Sequence, residues 1–177
     1  MASDYKSALL RERLEEHILV MDGAMGTRIQ TLNLTETDFR GERFSHHPSN
    51  LNGNNELLCL TRPDIITEIH REYLASGSDI IETNTFTANR VSQADFGTQD
   101  LVYELNYNAA KLARQAADEF EQTNKPRFVA GAIGPTTRSA SLSPNVNDPG
   151  FRNITFDDLV DDYGEALQGL IDGGIDI

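Results

Sequence analysis

The same kind of phrase occurs twice in the chain. Gly77-Ser78-Asp79-Ile80 and Gly174-Ile175-Asp176-Ile177 each close an amphipathic stretch with glycine and open a β-branched run. A chain that alternates helix and strand in this way joins its strands by right-handed crossovers, which makes the sheet parallel. The two echoes span two βα units, too wide an interval for a solenoid repeat of about 20–50 residues.

The stretches between the echoes fit that plan. Leu10, Leu14 and His17 or Ile18 mark a first helix over about Ser7 to His17, and His17 to Gly23 reads as a short strand entering a glycine turn. Ile65, Ile69 and Tyr73 fall at helical spacing, with Thr61 as the expected start, Pro63 in the first turn and Gly77 as the stop. Asp79 to Phe86 reads as a buried strand. Leu101 to Phe120 carries an apolar helical stripe, Arg127 to Ile133 a third strand. A helix over about Thr155 to Asp172, striped by Leu159, Tyr163, Ala166, Leu167 and Leu170, leads to the opening of a fourth strand at Ile175-Asp176-Ile177.

A (β/α)8 barrel needs roughly 250 residues and eight strands. The 177 residues supply about three βα units and the start of a fourth strand. The expected architecture is therefore the N-terminal part of a (β/α)8 TIM barrel, residues 1–177 forming one domain incomplete at its C-terminus; a doubly wound sheet is the alternative. Leu32 to Leu60 and Gly134 to Asn153 are long irregular segments, and both follow strands. In a barrel, loops after strands lie on the face that binds ligands.

Charge and cysteine usage narrow the function. Twenty-eight acidic against 15 basic residues give a formal charge of −13, which repels nucleic-acid phosphates and anionic membrane surfaces. The N-terminus lacks a signal-peptide core and no stretch has the ~20 apolar residues of a membrane span, which points to the cytoplasm. Cys59 is the only cysteine, so it forms no internal disulfide and belongs to no multi-thiolate metal site within this chain. Set in Leu57-Leu58-Cys59-Leu60, it reads as a buried, inert thiol.

Three strand ends carry chemistry. Asp22 stands before Gly23 and within a turn that has a second glycine, so a carboxylate for an ammonium group and backbone amides for a carboxylate would lie together, a pairing suited to an amino acid. A tight turn with Asp as a local cap is the competing reading. Glu82 to Asn89 ends the second strand in consecutive hydrogen-bonding residues; alternation puts Glu82, Asn84 and Phe86 on one side and Thr83 and Thr85 on the other. After the third strand, Gly134-Pro135-Thr136 opens a loop without the Lys or the spacing of a phosphate cradle. His46 and His47 are adjacent and lack the spacing of a metal pair. Asp157, Asp158, Asp161 and Asp162 read as a solvated helix face, the first two also favouring the helix dipole.

Ordered along the chain, ILVMDGAMGTRIQ, DFRGERF, GNNELLCLTRPDII, GSDIIETNTF and KPRFVAGAIGPTTRSASLSPNVNDPGFRNITFDDLV resemble the N-terminal homocysteine-binding module of the cobalamin-dependent methionine synthases. The resemblance implies a (β/α)8 barrel and transfer of a methyl group from methylcobalamin, recharged from methyltetrahydrofolate, to the zinc-activated thiol of homocysteine. It places the substrate at Asp22, Gly23 and Ala24, at Thr83, Asn84, Thr85 and Phe86, and at Gly134, Pro135 and Thr136, with Asp22 holding the ammonium. It further implies downstream folate and cobalamin modules. The family's three zinc-binding cysteines have no counterpart here. This chain is therefore expected to hold neither zinc nor cobalamin, to bind homocysteine weakly, to be inactive alone, and to self-associate through an open barrel edge.

Overall fold

The computed structural model describes residues 2–177. Its centre is a parallel pair of short strands, β1 (Ile80–Glu82) and β2 (Phe128–Ala130), in the register Ile80 with Phe128, Ile81 with Val129 and Glu82 with Ala130. The expected first strand is reduced to one parallel bridge, Met21 with Ile80. Side chains explain the reduction: Asp79 Oδ2 accepts the Val20 amide at 3.0 Å and Asp22 Oδ1 accepts the Glu82 amide at 3.0 Å, taking over pairing on both sides of the bridge. The expected fourth strand likewise lies beside β2 without forming a ladder. Asp176 N and Ile177 N donate to Val129 O, and Gly131 N donates to Ile177 O at 2.9 Å. Chain order and spatial order therefore agree across the sheet.

Helices cover it. α1 (Ala2–Glu16) is longer than expected, and its proposed apolar face is not buried, since Leu14 is 56% exposed. The excursion read as irregular between Leu32 and Leu60 is partly helical, holding α3 (Glu36–Arg40), a 3-10 turn (Asn55–Leu57) and α4 (Leu58–Thr61), after α2 (Met25–Thr31). Arg40 organises it, pairing with Glu36 at 2.6 Å and donating to the carbonyls of His47 and Ser49. α5 (Pro63–Ser76) starts one residue later than expected: Thr61 ends α4, its hydroxyl donating to Leu57 O, and Arg62 takes the cap position. α5 ends where glycine predicts, at Gly77 with φ 116°.

Short α6 (Arg90–Gln93) precedes α7 (Val102–Phe120), which packs along α8 (Phe156–Gly173). α7 buries Ala109, Ala110, Ala113, Ala116 and Ala117, a small-residue face that lets its neighbours approach closely. α8 answers with two glycines absent from its apolar stripe: a Cβ at Gly169 would lie 2.6 Å from Tyr103 O, and one at Gly173 2.6 Å from Tyr107 O. Leu170 and Ala166 are buried as expected, whereas Leu167 faces out. Asp158 caps α8 reciprocally with Thr155. Asp162 is not solvated: it is 3% exposed and accepts the Arg90 and Val91 amides, capping α6 from another helix. Gly134 to Asn153 carries no helix or strand, as expected.

Candidate functional site

Beyond the C-terminal ends of Met21 and β1 a cleft of about 430 Å³ opens. Asp22 stands at its floor, fixed from both ends: its own amide donates to Ile80 O at 2.9 Å and its Oδ1 accepts from Glu82 N. Burial pushes the Asp22 carboxyl up to about 7 and the neighbouring Glu82 carboxylate adds to the rise, while the Glu82 amide pulls the other way. Gly23 lines the cleft beside it. Ala24 does not; it is exposed, in the left-handed region at φ 37°, and turns the chain into α2.

The second strand tip supplies the facing wall. β1 stops at Glu82, and the expected alternation stops with it, because Thr85 N turns back to Thr83 O at 2.9 Å. Thr83, Asn84 and Thr85 are all buried, Phe86 is 59% exposed, and all four line the cleft. The two threonine hydroxyls are already engaged. Ala132 N donates to Thr83 Oγ1 at 3.0 Å, the hydroxyls lie 2.6 Å apart, and Thr85 donates to Ala132 O at 2.8 Å, so Thr83 must donate to Thr85. This closed ring continues the β1 to β2 pairing through side chains. Asn84 donates to Asn55 O at 2.8 Å, and its Oδ1 takes no donor among the described residues.

Gly134, Pro135 and Thr136 lie outside this cleft. Gly134 is buried under Phe86, where a Cβ would collide with Phe86 O, and its carbonyl accepts from Tyr163 at 3.0 Å. Pro135 O accepts from Asn89, and Thr136 donates to Arg138 O. The third-strand loop thus supports the second tip from behind. The sequence reading also missed a wall: Gly53, Asn55 and Glu56 line the cleft from the end of the long excursion. Its signal was the polar run Asn54-Asn55-Glu56 set against the apolar Leu57-Leu58-Cys59-Leu60.

Cys59 is buried as expected. Its thiol is pushed up to about 12, chiefly by burial, and lies 3.6 Å from Asn84 Nδ2. Such a thiol is a poor thiolate ligand. Among the described residues no three His, Cys, Asp or Glu side chains converge to hold a metal ion. No helix among them is long and apolar enough to cross a membrane.

The family model described as Homocysteine S-methyltransferase matches residues 19–177, from the segment before Asp22 to the last residue. The chain belongs to the homocysteine S-methyltransferase family. The family is one of methyltransferases, and its likeness to solved members extends to the fold. The homocysteine methyltransferase MmuM from Escherichia coli superimposes in its oxidized form with a TM-score of 0.68 at 21% identity, over 95% of this chain and 54% of that one. The metallated form gives 0.69 at 21%, over 95% and 55%. The apo form gives 0.61 at 20%, over 95% and 51%. The chain spans about half the length of these solved homocysteine methyltransferases.

Proposed function

We propose that this chain forms one wall of a homocysteine site at the C-terminal end of a (β/α)8 barrel, in a methyltransferase of the cobalamin-dependent methionine synthase type. The consecutive parallel order from Met21 through β1 and β2 to Ile177 supports the barrel. Asp22 carries the reading of the site: a half-buried carboxyl, raised to about 7, at a strand end in a cleft. Its role is to hold the substrate ammonium. A cation entering the cleft supplies the counter-charge that burial denies Asp22, and Asn84 Oδ1 offers a second acceptor. Phe86 covers the ligand, while Thr83, Thr85 and the Gly134 to Thr136 loop act by holding that wall in place.

The parent reaction moves a methyl group from methylcobalamin to a zinc-activated homocysteine thiol, with folate and cobalamin modules downstream. The residues of this chain do not fit the zinc, since Cys59 is enclosed and protonated. The chain alone transfers no methyl group. It acts in the cytoplasm, away from nucleic acids and membranes.

Calorimetric titration with L-homocysteine, 4-mercaptobutyrate and 3-mercaptopropylamine tests the reading. Weak binding of L-homocysteine that is lost with 4-mercaptobutyrate, which lacks the ammonium, is expected. Equal binding of all three overturns it.

A further inference from the structure

We propose that Glu56 is a positioning residue for this cleft, its carboxylate pinning the wall from Thr83 to Thr87 against the wall from Gly53 to Glu56 and so fixing the gap that admits a ligand. The proposal relies on the homocysteine reading only for the ligand's identity.

The two walls come from distant parts of the chain and share no strand pairing. They meet through Glu56 Oε1, which accepts the Thr87 amide at 2.9 Å, and through Asn84, whose Nδ2 donates to Asn55 O at 2.8 Å. Glu56 is 6% exposed and lines the cleft. Among the described residues it forms no ion pair, and its Oε2 takes no donor. That second oxygen is not enclosed, so one side of the carboxylate faces the open cleft while the other holds the Thr87 amide. What the charge adds is a stronger hydrogen bond to a tip that has left its strand.

Behind Glu56 the neighbouring residue makes the same connection. Asn54, fully buried, exchanges hydrogen bonds with Gln93, Nδ2 to Oε1 at 2.9 Å and Nε2 to Oδ1 at 3.2 Å. Gln93 also donates to Thr87 O at 3.2 Å, and Thr98 donates to Gln93 Oε1 at 2.7 Å. Thr87 is therefore held at its amide by Glu56 and at its carbonyl by the Asn54–Gln93 pair. The pair anchors the tip to the core. Of the side chains that hold Thr87, Glu56 is the one that also lines the cleft, which places control of the gap with it.

Amide hydrogen exchange on the full chain, resolved by residue, tests this with Glu56→Met, which keeps volume but removes the acceptor, and Glu56→Gln, which keeps an acceptor. In Glu56→Met the Thr87 amide should exchange about tenfold faster or more while Ile81 and Val129 are unchanged. The Asp22 titration midpoint should fall from about 7 toward the ordinary carboxylate range as the opened cleft admits water. Glu56→Gln, whose neutral carbonyl accepts a weaker hydrogen bond, should restore both in part and fall between wild type and Glu56→Met. Unchanged Thr87 exchange in Glu56→Met, or faster exchange at all three amides alike, overturns the proposal. Should Glu56→Met not fold, an unprotected Thr87 amide in the wild type does the same. Failure of the wild type to bind L-homocysteine would defeat the amino-acid reading alone, because exchange is measured without ligand.

Discussion

Asp22 and Glu82, sixty residues apart, are joined by a 3.0 Å hydrogen bond from the Glu82 amide to the Asp22 carboxyl. The same neighbour both steadies and burdens that carboxyl: the amide favours the charged form, and the Glu82 side chain opposes it. A pH dependence follows. With a folded midpoint of about 7 against an ordinary 3.8, folding takes up a proton between these values. The stability contributed by protonated Asp22 is complete below about 4 and is lost as pH rises through 7. Urea unfolding at pH 5 and pH 8 should show a larger loss in wild type than in Asp22→Asn.

His70 works in the opposite sense. It is fully buried with no partner at either ring nitrogen among the described residues, and burial lowers its midpoint from 6.5 to about 4. The folded chain keeps it neutral while the unfolded chain charges, so its contribution is present above 6.5 and is lost as pH falls toward 4. His70→Leu should remove that part of the acid destabilisation, seen as a smaller drop in Tm between pH 7.5 and pH 5. At neutral pH it should cost less than about 1 kcal/mol, because no hydrogen bond is broken.

The glycines of α8 divide by surroundings. Gly164 has open space where a Cβ would project, so Gly164→Ala should stabilise by about 0.5–1 kcal/mol through helix propensity. Gly169→Ala would drive a methyl against Tyr103 O and should destabilise by about 1–3 kcal/mol. Denaturant midpoints of the two variants should move in opposite directions.

The echo that constrained the fold proves to be a repeated device. Asp79 accepts the Val20 amide at 3.0 Å, and Asp176 accepts the Val129 amide at 2.9 Å, each carboxylate fastening the strand segment that precedes it in the sheet. Asp176 is also paired with Arg114 at 2.7 Å. The order of helices and strands was legible because glycine stops and apolar periods are local properties. The expected strand lengths were not, because Asp22, Thr83 and Thr85 replace backbone pairing with side-chain hydrogen bonds that no period reports. Asp22, Gly23 and the second tip, singled out in the sequence, line one cleft. Glu56 was missed, since its partner Thr87 lies 31 residues away, and Asp162 was read as solvated because its partners belong to another helix.

Exposed apolar residues lie at both ends of the strand order, Ile18, Val20 and Met21 before β1 and Ile133 and Ile177 after β2. Such surfaces favour association. Light scattering should show a mass above that of one chain, rising with concentration; a strict monomer at all concentrations would count against an open edge.

The most direct test follows the Asp22 carboxyl by carbon NMR while L-homocysteine is added. An ammonium held at Asp22 favours the ionised form, so the midpoint should fall from about 7 by roughly one unit or more, and Asp22→Asn should abolish binding. A midpoint unmoved by saturating L-homocysteine, or undiminished binding by Asp22→Asn, would contradict the assignment of Asp22 to the substrate.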